Sequence, residues 1–302
     1  MSNHVVVPLE SYRLAQYAAP IQCYICDGDN HCNAERCARC QAPMALAYQA
    51  ETQKVHPKSV AVLGPPGSGK TVYLGVLADL LSRPDHDIHA LARGAFSISM
   101  QQTTITALAE RHFPDKTPRE PESWNWLHCQ VTLRKRRKPI ELIIPDMSGE
   151  AIQNDIDHPG TYPVVQAFLS RSEGLILIID VQAIEDGDPS QEFFAMKMIS
   201  MLCEKNGHRK RGWPNRPVVL NFMKADPFGD CFADPTSYAK QHVPGLWQQC
   251  KERLGRYAFF ASNVVGACTY LIDGDRREQI PLRMEPYGIV EPFQWLVTQL
   301  AK

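Results

Sequence analysis

SVAVLGPPGSGKTVYLGVLADLLS, residues 59–82, is the stretch that decides the fold. Its first residues form a short β-rich run, and 71–82 has helical periodicity that stops before Arg83-Pro84. Between them Gly64-Pro65-Pro66-Gly67-Ser68-Gly69-Lys70-Thr71 meets the spacing G-x-x-x-x-G-K-[ST]. The glycines let backbone N–H groups turn inward around phosphate oxygens. The helix that follows, running on from Val72, points its N-terminus and its dipole at the same anion. Lys70 is expected to reach the β- and γ-phosphates of a nucleoside triphosphate, and Thr71 to place its hydroxyl on Mg²⁺. A plain Gly/Pro-rich turn is the bland alternative; strand, motif and helix together argue against it.

Outward from this stretch, apolar strands alternate with amphipathic segments. LHCQVTLRK (127–135) and PIELIIPD (139–146) read as strands around the polar turn KRRK. EGLILIID (173–180), RPVVLNFMK (216–224) and RYAFFAS (256–262) read as buried strands of the parallel-sheet kind. Residues 188–207 and 288–302 read as helices. The alternation predicts an α/β P-loop NTPase fold, a doubly wound, mostly parallel sheet with helices on both faces, over residues 58–302. Ahead of it stand a lead (1–20), a Cys-rich module (21–44) and a connector (45–57). Residues 83–126 fit the scheme poorly, 226–245 read as loop, and 264–288 read as a hairpin with CTYLI and QIPLRM paired across Asp273-Gly274-Asp275. Asp146 ends the strand PIELIIPD, where a carboxylate can hold Mg²⁺ through water opposite Thr71. Gly149 and Glu150 follow, the first able to offer a backbone N–H to the γ-phosphate, the second close to an attacking water.

In sequence order, the chain resembles the Ras-like GTPases of the translation-factor-related class. The likeness rests on the loop at 64–71, on Asp146-Met147-Ser148-Gly149, on Met223-Lys224-Ala225-Asp226 after VVLNF, and on Ala261-Ser262-Asn263 after RYAFF. The resemblance implies a G-domain-like sheet and binding of GTP and GDP. It implies that Asp226 accepts the N1–H and exocyclic amine hydrogens of guanine and that the stem of Lys224 lies over the base. Ser262 and Asn263 would meet the guanine carbonyl from the backbone. It also implies a switch threonine between the first helix and LHCQVTL; Thr117, in the Pro-bounded FPDKTPRE, is the first choice, ahead of Thr103 and Thr104. Met223 departs from the family's Asn or Thr, and Glu150 from its usual Gln. The first departure leaves an ATPase of another P-loop class open, and the second implies slow hydrolysis. Arg119 and Arg93 are near in sequence, and neither is assigned as an activating arginine. More narrowly, with its extended segment around FPDKT, the strand end DMSGE and the closing YGIVEPFQWLV helix, the chain is similar to the double-GTPase proteins of bacterial conflict systems. That likeness implies a protein partner, a second GTPase encoded nearby, and a role in antiphage defence. A non-hydrolysing scaffold with bound nucleotide is the further alternative.

Cys23-x-x-Cys26 and Cys37-x-x-Cys40 form two knuckles whose sulfurs can complete a tetrahedron. Four thiolates favour a closed, structural Zn²⁺ site, a zinc ribbon, holding a segment that has no core of its own. His31 and Cys32, in the intervening loop, are spare ligands; free thiols and an iron–sulfur cluster are the alternatives. The segment carries only two arginines and one aromatic, Tyr24, so protein docking is expected rather than nucleic acid.

The 302 residues are 44% apolar, enough for a sizeable core, and the net charge of -1 argues for neither nucleic acid nor an anionic membrane. No apolar run reaches 18 residues, and the N-terminus lacks the pattern of a secretory signal. Five of the ten cysteines lie between Cys23 and Cys40. That clustering reads as metal chemistry in a reducing, cytoplasmic compartment.

Overall fold

A computed structural model describes residues 19–83, 86–134, 138–206, 213–273 and 276–302. Most of the lead, the first three residues of the KRRK turn (135–137) and the hairpin tip at 274–275 lie outside the described residues. The chain begins with a small antiparallel ribbon, β1 (Ile21–Gln22) and β2 (Asp29–Asn30), followed by helix α1 (Ala45–Gln53) over the connector. Then come β3 (Lys58–Leu63), α2 (Lys70–Leu81), β4 (Ile88–Ala92), α3 (Gly94–Ala109), β5 (Asn125–Leu133) and β6 (Ile140–Asp146). Helices α4 (Gly149–Asp157) and α5 (Pro163–Arg171) lead to β7 (Gly174–Asp180), α6 (Val181–Glu185), α7 (Ser190–Asn206) and β8 (Val218–Met223). The chain closes with α8 (Gly229–Ala233), α9 (Pro235–His242), α10 (Pro244–Arg253), β9 (Tyr257–Asp273), β10 (Arg276–Tyr287) and α11 (Val290–Leu300).

Eight strands form one sheet in the order β10-β9-β8-β7-β3-β6-β5-β4. The central run from β6 to β9 is parallel, and the two ends are antiparallel. The α/β, mostly parallel sheet read from the sequence is therefore the observed one. All seven residues of β7 are buried, and their side chains alternate between two cores. Leu175, Leu177 and Ile179 face one with α5 and α7; Ile176 and Ile178 face the other with α2 and α11. A strand covered on both faces has no polar face to alternate with, which is why its sequence is one apolar run.

The strand order reverses at β3: β4–β6 lie on one side of it and β7–β10 on the other. In an open α/β sheet, that reversal places a crevice beyond the carboxyl ends of the strands. The carboxyl ends of β3, β6, β7 and β8 are Leu63, Asp146, Asp180 and Met223, and Ser262 lies level with Met223 on β9.

Two segments differ from their reading. Residues 83–126 hold β4 and α3 between the first helix and β5. Only Ile88 and Ala90 of β4 are buried, at an edge, and the buried face of α3 mixes Ser97 and Thr104 with Met100, Ala107 and Leu108, so its apolar stripe is broken. Residues 226–245 are helical rather than loop: Asp234 caps α9 through the amides of Thr236 and Ser237, 3.0 Å each, with Pro235 at the first position. The expected hairpin is present but longer. β9 runs without a break from the buried strand of the sheet to Asp273, and β10 returns antiparallel to it.

Candidate functional site

Gly67 and Gly69 have φ of +75° and +92°, the left-handed backbone that bends 64–71 round into α2. Gly64 and Ser68 are pressed together against β7, and the buried Ser68 hydroxyl has no partner among the described residues. Lys70 folds back into the loop, its ammonium donating to the carbonyls of Gly64 and Pro65 at 3.0 Å each. Burial pulls this ammonium down to about 8, and nearby Asp146 offsets only part of that. A buried cation answered chiefly by carbonyls is matched to an anion that the loop can enclose.

Three oxygens meet beside it. Thr71 Oγ1 donates to Asp146 Oδ2 at 2.9 Å, Thr117 Oγ1 donates to the same oxygen at 3.0 Å, and the two hydroxyls are 3.0 Å apart. Asp146 is buried, and its Oδ1 has no hydrogen-bond partner among the described residues. Burial pushes its carboxyl above the ordinary carboxylate range, against the pull of Thr71, Lys70 and Thr117. The set therefore gains most from a hard cation, for which oxygen donors and an orphaned carboxylate are suited. Thr103 and Thr104 stand elsewhere, on α3; Thr104 is buried against Gly75. Gly149 opens α4 so close to the loop that a Cβ there would meet Pro66 N at 2.7 Å and Lys70 Nζ at 2.8 Å. Glu150 pairs instead with Arg119, whose guanidinium holds its carboxyl below the usual range. A raised pKa that would make Glu150 a proton acceptor is thus absent. Arg93 pairs with Glu141 at 3.2 Å.

At the other end of the crevice, Lys224 adopts φ +60° and donates to Asp180 at 2.5 Å. This strained turn presents Asp226, whose carboxyl is raised by burial. Ala225 N donates to Ser262 O at 3.4 Å, joining the two base-side loops. The Ser262 side chain is buried on Asn221 at 2.8 Å and is turned from the crevice, so only its backbone can serve there. Met223 is buried, and its Cε stands 3.7 Å from where a Cβ on Gly69 would be. An apolar thioether thus bridges the base side and the phosphate loop where a polar side chain would hydrogen-bond. One cavity of about 870 Å³ runs from Gly67, Lys70 and Thr71 to Lys224, Asp226 and Asn263.

A family model described as Double-GTPase 2 matches residues 58–267, more than half of the chain. The chain belongs to the Double-GTPase 2 family. Solved structures similar to it include a chain described as nucleolar GTP-binding protein 1 of Plasmodium falciparum, 11% identical, TM-score 0.43, covering 81% of this chain and 87% of that one. Another is the signal recognition particle receptor complex of Chaetomium thermophilum, 18% identical, TM-score 0.39, covering 70% and 92%. A third is the GTP-bound Ski7 GTPase-like domain of S. cerevisiae, 14% identical, TM-score 0.42, covering 82% of this chain and 50% of that chain. At these scores the assignment rests on the family match. No curated protein matches the sequence. Within the described residues, no helix is long and apolar enough to cross a membrane.

The family match begins at the start of β3, and the four thiols precede it in the chain. Cys23, Cys26, Cys37 and Cys40 bring their sulfurs within 4.8 Å of one another, with Cys23–Cys40 at 3.7 Å and Cys26–Cys37 at 3.5 Å. A tetrahedral ion with sulfur at ~2.3 Å needs sulfurs about 3.8 Å apart, so the four can close on one metal ion. Backbone amides of Ile25 and Arg39 donate to Cys23 and Cys37 at 3.4 Å each. The crowding drives the thiols apart in acidity, Cys23 down to about 5 by the Cys40 thiol and Cys26 up to about 11 by burial. Four thiolates here require a cation. His31 and Cys32 lie outside the cluster. The module shares its core with the sheet: Cys37, Cys40 and Met44 join Trp124, Trp126 and Ile152. Tyr24 packs edge-on to Trp126, Arg36 pairs with Glu122 at 2.9 Å, and Trp124 Nε1 donates to Pro118 O at 2.8 Å, one residue from Thr117.

Several lining residues were not singled out from the sequence. Phe113, Pro114 and Lys116 precede Thr117, and Gln182 and Asp186 come from α6. Cys268, Tyr270 and Gln279 come from the β9–β10 hairpin. The hairpin itself is readable from its alternation, but its position over the cavity is a tertiary outcome with no local signal.

Proposed function

We propose that this double-GTPase domain binds GTP with Mg²⁺ and hydrolyses it slowly to GDP and phosphate, as a switch read by a protein partner. The observation that carries this reading is the meeting of Thr71, Thr117 and Asp146 within 3.0 Å beside Lys70. A loop hydroxyl, a switch hydroxyl and a strand-end carboxylate are the groups that hold Mg²⁺ on a triphosphate. Bound Mg²⁺ would neutralise charge between the β- and γ-oxygens. Lys70 would leave its carbonyl partners for the phosphates, and the Gly149 N–H would face the γ-oxygens. Thr117 would bring 113–123 inward, and loss of the γ-phosphate would release that segment together with 147–160. Asp226, with the Lys224 stem and the backbone of Ser262 and Asn263, would read guanine. Glu150, ionised and drawn to Arg119, is a weak proton acceptor beside an anion, which supports slow intrinsic turnover.

The four thiols would hold Zn²⁺ as a structural ribbon, since thiolates suit it and no coordination position stays open. The family's name supports a second GTPase as the partner, and the likeness to conflict-system proteins supports a cytoplasmic role in antiphage defence.

Limited proteolysis with GTP, with GDP and without nucleotide tests the switch. We expect protection at 113–123 and 147–160 with GTP and cleavage with GDP. Identical patterns in the two states would exclude a switch. Tight retention of GTP with no phosphate released, with partner present, would favour a scaffold.

A further inference from the structure

We propose that the β9–β10 hairpin is a working wall of the nucleotide site, with the Tyr270 ring and the Gln279 carboxamide contacting the nucleoside rather than the phosphates. The proposal rests on the guanine-nucleotide reading above and extends it to residues that the family match does not reach. That match stops at 267, whereas β9 continues to Asp273 and β10 brings the chain back.

Three hairpin residues line the cavity, and they share one face. Tyr270 stands directly opposite Gln279 in the antiparallel register, and Cys268 is two residues before Tyr270 on the same strand. Alternate residues of a strand point to one side, so 268, 270 and 279 make one continuous surface. Tyr270 and Leu271, on opposite sides of the strand, are both exposed, so the Tyr270 ring is open to a ligand that enters the cavity. Cys268 follows Asn263 and Val265 on β9, and both of these line the same cavity together with Lys224 and Asp226; burial raises the Cys268 thiol, and the charges of Asp226 and Lys224 act on it as well. The hairpin face therefore continues the cavity wall that begins at Asn263 on β9, beside Lys224 and Asp226.

The chemistry of the face suits a nucleoside. An aromatic ring offers a flat apolar surface to a base or ribose, and such stacking contributes appreciably to affinity whatever the base. A carboxamide carries both a donor and an acceptor, which can meet the edge of guanine or a ribose hydroxyl. A site with such a wall has a use for it here. The apolar Met223 gives no hydrogen bond between the base side and the phosphate loop, so ordering of the nucleoside must come from elsewhere.

Calorimetric titration of GTP, GDP and ATP into the full chain with Mg²⁺ tests the proposal. The proteins compared are wild type, Tyr270→Ala, Gln279→Ala, the double variant and Tyr270→Phe, each with its urea midpoint measured. We expect the double variant to bind GTP and GDP alike about tenfold more weakly, with an unchanged midpoint, and Tyr270→Phe to keep wild-type affinity. GTP affinity within twofold of wild type in the double variant would overturn the proposal and leave the guanine reading intact. So would a loss that Tyr270→Phe shares and that follows a lowered midpoint. A wild-type protein that binds no guanine nucleotide would instead overturn the reading on which the proposal rests.

Discussion

Replacing Gly149 by alanine adds one methyl group where α4 packs closely on the phosphate loop. The Cβ would lie 2.7 Å from Pro66 N and 2.8 Å from both Pro65 C and Lys70 Nζ. The lysine end can swing away, but the other two atoms belong to the backbone of the phosphate loop, so α4 or the loop must move. Overpacking of this kind costs about 1–3 kcal/mol. Alanine recovers about 0.5–1 kcal/mol of that through its lower conformational entropy loss in a helix. The net expectation is a destabilisation of roughly 1–2 kcal/mol, read as a lower urea midpoint at unchanged slope. The displaced N–H is the one that would face the γ-phosphate. GTP affinity should then fall about tenfold, which is ~1.4 kcal/mol, while GDP affinity changes by less than about threefold. Urea unfolding and paired titrations of GTP and GDP measure both. A wild-type midpoint together with an unchanged GTP-to-GDP ratio would refute the packing of α4 on the loop and the role given to Gly149.

Other outcomes follow from the same geometry. Cys37→Ser removes one of four sulfurs and should abolish stoichiometric zinc in elemental analysis. The melting temperature should fall by roughly 5–10 °C, because the module shares its core with Trp124 and Trp126; retained zinc at an unchanged melting point would contradict this. Glu150→Gln removes an anion near the γ-phosphate and should tighten GTP relative to GDP by about twofold, by equilibrium titration. The pH dependence has a definite sign. Lys70 titrates at about 8 in the folded chain against 10.5 ordinarily, so the folded state binds fewer protons between these values and ligand-free stability rises with pH across that window. Nucleotide needs the ammonium, so affinity should decline above pH 8, by about tenfold at pH 9; an affinity flat from pH 7 to 9 would exclude this.

The parts of the fold that were legible in the sequence are those decided locally. β7 and β8 are buried on both faces, and their uninterrupted apolar runs say so. The loop at 64–71 carries its own conformational requirements in Gly67 and Gly69. Thr117 was selectable from the Pro-bounded loop around it, and the structure sets its hydroxyl beside Thr71. β4 and α3 were not legible, because an edge strand and a helix buried through Ser97 and Thr104 show neither period cleanly. The helix α9 was hidden in a stretch rich in Pro, Gly and Asp, although Asp234-Pro235 is a helix start in itself. The Cys-rich module read as a separate unit, yet it shares its core with the sheet, pairs with Glu122 through Arg36 and packs with Trp124, which bonds Pro118 beside Thr117. Contacts between distant segments, the hairpin over the cavity among them, leave no trace in local pattern.

The account turns on guanine recognition by Asp226 at the end of a crevice that opens on the phosphate loop. Competition of GTP and ATP for the nucleotide-free, Mg²⁺-supplemented protein tests it most directly, in wild type and in Asp226→Asn. The account predicts GTP preferred over ATP by at least about 100-fold in wild type, with most of that preference lost in the variant. A clear preference for ATP that survives Asp226→Asn would contradict it.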